Sequence, residues 1–347
     1  MEPWNGIIQT CTVLLPYVCI FVPSAFYPNP GRQLILKNTI SVEQVARFTG
    51  HRAAVFALAE AGQPQTFYSA DGNGWVVAWN VQDPDEGRLL AQVPSNVFSM
   101  RYLAGFGLLA LGSMSGALYF IDLAQNRVID PPIQLDKAVF CLEQCGNTLF
   151  AGTGGGLLWA INLPQLSAQQ VSPICNSSIR SAHLHPNLPL LALGCSNHVI
   201  YLFNTQTRQA VPQTAFHQNS VFSVRFTPNG QYLLSGSRDA FLAIWQLQTA
   251  QTPQLQLLHS IPAHLFTINS IACPPNTGWF ATASRDKTIK IWHSDNYSLL
   301  KVIDQTKTGI TAHKNSVNNL LWLPHNNLLL SAGDDRQIFA WQVSGIG

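Results

Sequence analysis

The sequence predicts an all-β protein assembled from seven copies of one unit. Three observations carry that reading. Four stretches share one pattern: an apolar run, a hydroxyl residue, a tight polar turn, then alternating residues ending in Trp. Four residue types recur at constant distances from that Trp. The 24 Gly and 21 Pro are spread along the 347-residue chain rather than clustered, which suits many short elements and many turns.

The four stretches are "FYSADGNGWVVAW" ending at Trp79, "LLSGSRDAFLAIW" at Trp245, "FATASRDKTIKIW" at Trp292 and "LLSAGDDRQIFAW" at Trp341. Period-2 alternation on both sides of a short turn is a β-hairpin. His51, His217, His264 and His313 each stand 28 residues before their Trp, and Ser69, Ser235, Thr282 and Ser331 each stand 10 before it. Asp239, Asp286 and Asp335 stand 6 before it; in the first copy that slot holds Asn73, with Asp71 two positions earlier. Thr282, His264 and Asp286 alone would list as a nucleophile, a base and an orienting acid. Independent catalytic triads would not recur at one spacing.

Weaker copies fill the middle of the chain. "LLALGSMSGALYFID", "LFAGTGGGLLWAIN" and "LLALGCSNHVIYLFN" put Ile121, Ile161 and Phe203 in the Trp slot. The seven slots are then separated by 42, 40, 42, 42, 47 and 49 residues. The middle copies carry Val93, Ile133 and Cys175 at the His offset, and Ser115, Gly155 and Asn197 at the Asp offset.

This register resembles the WD-repeat β-propeller family over about residues 43–343. The literal Trp-Asp pair is missing: each Trp is followed by Asn80, Gln246, His293 or Gln342, and only Gly50–His51 keeps Gly-His. The resemblance implies a seven-bladed propeller of four-stranded antiparallel blades around a channel. "VEQVARFTG" (42–50) reads as a lone outer strand, and the chain stops six residues after Trp341. An N-terminal strand that completes the seventh blade removes two exposed sheet edges. The expected organisation is an extension over 1–40 outside the fold and a propeller over 41–347.

Residues 7–26, "IIQTCTVLLPYVCIFVPSAF", approach a membrane-spanning length. Pro16 and Pro23 interrupt a helix there, and the segment before it carries Glu2 and no Lys or Arg. The favoured reading is a poorly ordered extension, including one translated from upstream of the true start; a membrane anchor or export signal is the alternative. Mass spectrometry of the mature N-terminus separates them.

Charged residues make up 10% of the chain, against about 25% in a typical soluble domain. Net charge is +2 with no dense basic run, so nucleic acid is not an expected partner. The seven Cys show no paired metal spacing, since C-x3-C at Cys141 and Cys145 stands alone; reduced thiols in a cytoplasmic protein are expected. His183 and His185 form H-x-H before Pro186 and read as a turn beside a strand rather than a metal pair. "GTGGG" (152–156) is followed by a strand in repeat register, not the helix that a dinucleotide loop needs. No cofactor and no metal is expected.

The resemblance implies that Asp accepts from His, that His meets the hydroxyl, and that the hydroxyl meets the Trp N–H. The complete sets are His217/Ser235/Asp239/Trp245, His264/Thr282/Asp286/Trp292 and His313/Ser331/Asp335/Trp341, with a partial set His51/Ser69/Trp79. Their expected role is structural, so Asp286→Ala should lower thermal stability and leave ligand affinity of the folded fraction intact. The innermost strands read "VFAL", "VFSM", "VFCL", "IRSA", "VFSV", "INSI" and "VNNL". By resemblance their second residues, Phe56, Phe98, Phe140, Arg180, Phe222, Asn269 and Asn318, lie at the channel mouth. Arg238, Arg285 and Asp334 point to that face in the same way, and the long connection 304–313 enlarges it. The alternative for the Phe side chains is packing between blades. These second slots hold no Asp, Glu or His, which favours binding over catalysis. The expected function is a monomeric, non-catalytic scaffold binding a protein or peptide through these residues and Arg238 and Arg285. A propeller enzyme with its site in the channel, and a membrane-tethered propeller dependent on 7–26, are the alternatives.

Overall fold

A computed structural model describes residues 40–213, 215–249, 252–306 and 311–345. Residues 1–39 of the expected extension, including 7–26, and part of the 304–313 connection lie outside the described residues, while Ile40, expected outside the fold, is buried in its core. No helix among the described residues is long and apolar enough to cross a membrane.

The described chain forms seven separate four-stranded antiparallel sheets. Six take consecutive strands from 55–92, 97–134, 139–173, 179–212, 221–262 and 268–303. We number these blades one to six. Blade seven takes three strands from 317–344 and its outer strand from Ser41–Phe48. That strand runs antiparallel to Ile338–Ser344, from Ser41 opposite Ser344 to Phe48 opposite Ile338. The ring is therefore closed by pairing the two ends of the fold, which leaves neither end an open sheet edge.

The core consists of seven apolar layers, one between each pair of adjacent blades. Each innermost strand starts with a fully buried β-branched residue: Val55, Val97, Val139, Ile179, Val221, Ile268 and Val317. The second strand of the preceding blade supplies a small residue. A Cβ added to Gly152, Gly194 or Gly236 would come within 2.7, 2.9 and 2.5 Å of Ile179, Val221 and Ile268 of the next blade. Gly112 meets Val139 in the same way, at 2.7 Å. Ala70, Ala283 and Ala332 occupy the same register position in blades one, six and seven. Near the axis the strands converge, so the space between sheets is filled by one large and one small partner.

Phe48 is buried at the seam between blades seven and one, with its ring 4.9 Å from that of Phe67 and 5.6 Å from that of Trp79. Closure thus has a side-chain component beyond backbone pairing. We expect Phe48→Ala to cost about 3–5 kcal/mol in urea unfolding, the usual loss for a buried aromatic. Val45→Ala on the exposed side of the same strand should stay within about 0.5 kcal/mol. Equal effects of the two would disprove a packed seam.

Candidate functional site

Two sets of side chains sit at one end of the propeller. The first is the set of polar locks. His264 Nδ1 lies 2.9 Å from Asp286 Oδ2, its Nε2 lies 2.7 Å from Thr282 Oγ1, and Trp292 Nε1 donates to Thr282 Oγ1 at 2.9 Å. His217, Ser235, Asp239 and Trp245 make the same chain, as do His313, Ser331, Asp335 and Trp341. Blade one has it as well. Asp71, not Asn73, lies 3.0 Å from His51 Nδ1, while Ser69 Oγ meets both His51 and Trp79. The sequence reading left Asp71 out because it stands two positions early in the register.

Burial alone would raise the Asp286 carboxyl. Hydrogen bonds from His264, Leu265 N and Thr288 instead hold it well below its usual range. Burial keeps His264 neutral, lowering its pKa against the pull of Asp286. Asp71, Asp239 and Asp335 are lowered for the same reasons as Asp286. The hydroxyl between His and Trp is buried in all four locks, so no substrate can reach it. Blade three uses a different lock: Asp136 accepts from Trp159 Nε1 at 2.9 Å and from Thr153 Oγ1 at 3.1 Å. Its carboxylate fills the space beside Gly155, and the Gly-rich segment is a hairpin turn between Thr148–Thr153 and Leu157–Asn162. His185 is spent on backbone groups. Its Nε2 lies 3.0 Å from Gly230 O, and its Nδ1 accepts from Asn187 N and Leu188 N.

The second set is the ring at the mouth. In every blade the register between the two innermost strands shifts at the second residue of the innermost strand. Phe56, Phe98, Phe140, Arg180, Phe222, Asn269 and Asn318 are those seven bulged residues. A bulge leaves its residue unpaired and re-aims its side chain. All seven are partly exposed and line one channel of about 490 Å³. Phe56, Phe98 and Phe140 follow one another at ring separations of 5.1 and 5.6 Å. The Arg180 guanidinium lies 4.3 Å from the Phe140 ring and 5.1 Å from the Phe222 ring. Its Nε donates to Ser196 Oγ at 3.0 Å, and no carboxylate pairs with it among the described residues. Burial lowers its pKa, the cost of holding a cation between two rings.

The two Asn are tied to the scaffold. Asn269 Nδ2 donates to Val317 O at 2.8 Å, and Asn318 Nδ2 donates to Val55 O at 3.1 Å and to Asp334 Oδ1 at 2.7 Å. Each therefore bridges to the next blade, leaving the aromatic arc with Arg180 as the open part of the ring.

Around the mouth, seven turn N–H groups, among them Arg238 N and Arg285 N at 2.9 Å, donate to the carbonyl preceding the innermost strand of their blade. The Arg238, Arg285 and Asp334 side chains project outward, exposed. Between them stands a pair the sequence reading overlooked. Leu265 and Phe266 follow His264 and are 83% and 59% exposed. The matching loops hold Arg52–Ala53, Gln218–Asn219 and Lys314–Asn315, so aligning the copies marks the pair as apolar where its equivalents include polar residues. Two hydrogen bonds hold this loop, Leu265 N to Asp286 Oδ2 at 3.0 Å and Ser284 Oγ to Phe266 O at 3.2 Å.

The sequence reading found no acid in the second slots of the innermost strands. Further along the channel wall the structure places Glu60 and Glu143, from later positions of those strands. Glu143 is buried, with its pKa raised by burial, and pairs with Arg101 at 3.2 Å.

Fold and locks together define a seven-bladed propeller built from WD-type repeats. Residues 211–246, 255–293 and 304–342 match the WD domain, G-beta repeat family, which supports a WD-repeat β-propeller. It is 24% identical to mouse guanine nucleotide-binding protein subunit beta-like protein 1, over 92% of this chain and 98% of that protein. It is 36% identical to the human denticleless protein homolog over 48% of this chain, and 26% identical to protein hir1 of Schizosaccharomyces pombe over 48%. It spans only 25% and 20% of those two longer proteins.

The locks carry stability. We expect Asp335→Ala, which strands the buried His313 Nδ1, to cost about 1–3 kcal/mol. Stability should also fall with acidity. His264, depressed when folded, costs stability as pH drops through its ordinary 6.5, and the depressed Asp286 as pH drops below its ordinary 3.8. Melting temperatures from pH 8 to 3 test both. His264→Phe should reduce the loss near 6.5, leaving the part contributed by His183 and His185, which burial also depresses.

Proposed function

We propose that the protein is a non-catalytic interaction scaffold that binds a protein or peptide partner across the channel mouth and the loops of blades five and six. The observation that carries this reading is Arg180, a cation held between Phe140 and Phe222 with no carboxylate partner among the described residues. Such a site favours an acidic side chain or a chain-terminal carboxylate flanked by apolar residues. Exposed Leu265 and Phe266, with Arg238 and Arg285 on neighbouring turns, extend it into a surface of mixed apolar and cationic character. The Glu143 carboxylate is engaged with Arg101, which argues against an active site built on it. Likeness to propeller proteins over nearly the full length of the mouse relative supports the same class of role. Five unpaired thiols among the described residues suit a reducing compartment, and we place the protein in the cytoplasm on that footing.

The test is quantitative capture from lysate with wild type, Arg285→Glu, and a Leu265→Ser/Phe266→Ser double variant, each checked for unchanged melting. These side chains are exposed, so folding should be spared. We expect a defined set of partners to be reduced at least tenfold by each variant. Retention of every partner by both would overturn the assignment of this face.

A further inference from the structure

The channel has a second tier. Arg101, Glu143, His183 and Arg225 each stand three residues after the bulged mouth residue of their blade, Phe98, Phe140, Arg180 or Phe222. They hold the same place in the register, opposite Ala110, Phe150, Ala192 and Leu234 of the second strand. Three residues along a strand span about 10 Å, so this tier lies that far inside the mouth. Blades one, six and seven place Ala59, Ala272 and Leu321 at the same position. The polar side chains of the tier therefore fall on one arc, from blade two to blade five.

The charges of this arc do not balance. Arg101, Glu143 and Arg225 all line the channel. Glu143 is buried, and its Oε2 is engaged by Arg101 Nη2 at 3.2 Å. Arg225 is partly buried, and among the described residues no carboxylate pairs with it and no side-chain hydrogen bond holds it. The other acid of the channel wall, Glu60, is exposed at the end of its strand. An unpaired guanidinium in a confined space is unfavourable alone and offers a fork of donors to a carboxylate or phosphate. His183 adds one more donor. Phe226 N donates to its Nδ1 at 3.1 Å, so the ring proton sits on Nε2, which meets no protein acceptor among the described residues. Burial keeps His183 neutral, and Arg225 and Arg101 lower its pKa further. Burial also raises Glu143, against the pull of the same two arginines.

We propose that this second tier is an anion site, with Arg225 as its anchor and Arg101 and His183 as flanking donors, for a phosphate or carboxylate group. A channel of about 490 Å³ is of the size that holds a small molecule. Glu143 opposes the ligand in two ways: its charge repels an anion, and its carboxylate occupies Arg101. The site is thus tuned by one acid and two bases rather than by positive charge alone. The anion has two possible sources, a free molecule in solution or a terminal carboxylate inserted through the mouth. The first is independent of the partner-binding face; the second rests on it.

The experiment dialyses the full chain into phosphate-free buffer and titrates it calorimetrically, at constant ionic strength, with inorganic pyrophosphate and separately with an acidic tetrapeptide carrying a free C-terminus. We expect saturable one-to-one binding of at least one probe. Arg225→Gln should weaken it at least tenfold. Glu143→Gln keeps an acceptor on Arg101 and removes the negative charge, and should tighten binding at least threefold. In wild type the bound probe should slow phenylglyoxal modification of Arg225 at least tenfold and leave exposed Arg285 unchanged, a readout that needs no variant to fold. Pyrophosphate binding assigns a free anion; binding of the peptide alone, lost when its C-terminus is amidated, assigns a partner's carboxylate. Failure of both probes to bind, or binding that Arg225→Gln leaves unchanged or Glu143→Gln weakens, would overturn the proposal. Leu265→Ser/Phe266→Ser should lose partner capture and still bind its probe as wild type does, which separates this site from the binding face.

Discussion

The contact on which the rest depends is the meeting of one β-branched and one small side chain between adjacent blades near the axis. Each sheet alone has two apolar faces and two edges, and cannot bury either face by itself. Val139 against Gly112, Ile179 against Gly152, Val221 against Gly194 and Ile268 against Gly236 set the distance between sheets where they are closest. That spacing lets seven sheets close into a ring, with Phe48 completing the seam from the other end of the fold.

The same convergence shapes the mouth. The residue after each β-branched head is bulged out of register, so seven side chains turn toward the channel. What each blade places there differs. The aromatic arc and Arg180 remain open, whereas Asn269 and Asn318 hydrogen-bond the next blade. Outside this ring the locks brace the turns that carry Arg238 and Arg285. Asp286 does two tasks at once, accepting from His264 and from the backbone of exposed Leu265. Stability and the proposed binding surface thus share a carboxylate in blade six.

The fold was legible in the sequence because repetition multiplies a weak signal. One His-Thr-Asp set is ambiguous; four copies at a 28-residue offset are not. The locks were read wherever spacing was kept. Where a blade solved the same problem differently, spacing misled: Asp71 stands early, and Asp136 reaches in from a different loop to take the Trp159 N–H. Asp71 satisfies the buried His51 and Asp136 the buried Thr153 hydroxyl from positions that no periodic count flags. Leu265 and Phe266 were passed over because an isolated apolar pair in a chain 47% apolar carries no weight until its loop is known to face water.

By itself the sequence determined the number of units, their strand order and the polar sets within them, because hairpins and locks are contacts at short, constant separations. The tertiary structure decided which side chains are open and which are spent. Arg180 between Phe140 and Phe222 and Asn318 on Val55 depend on bulges and on distances between sheets. Those distances arise only when all seven blades close, since a strand's neighbour across a layer lies about 40 residues away or, at the seam, at the far end of the fold.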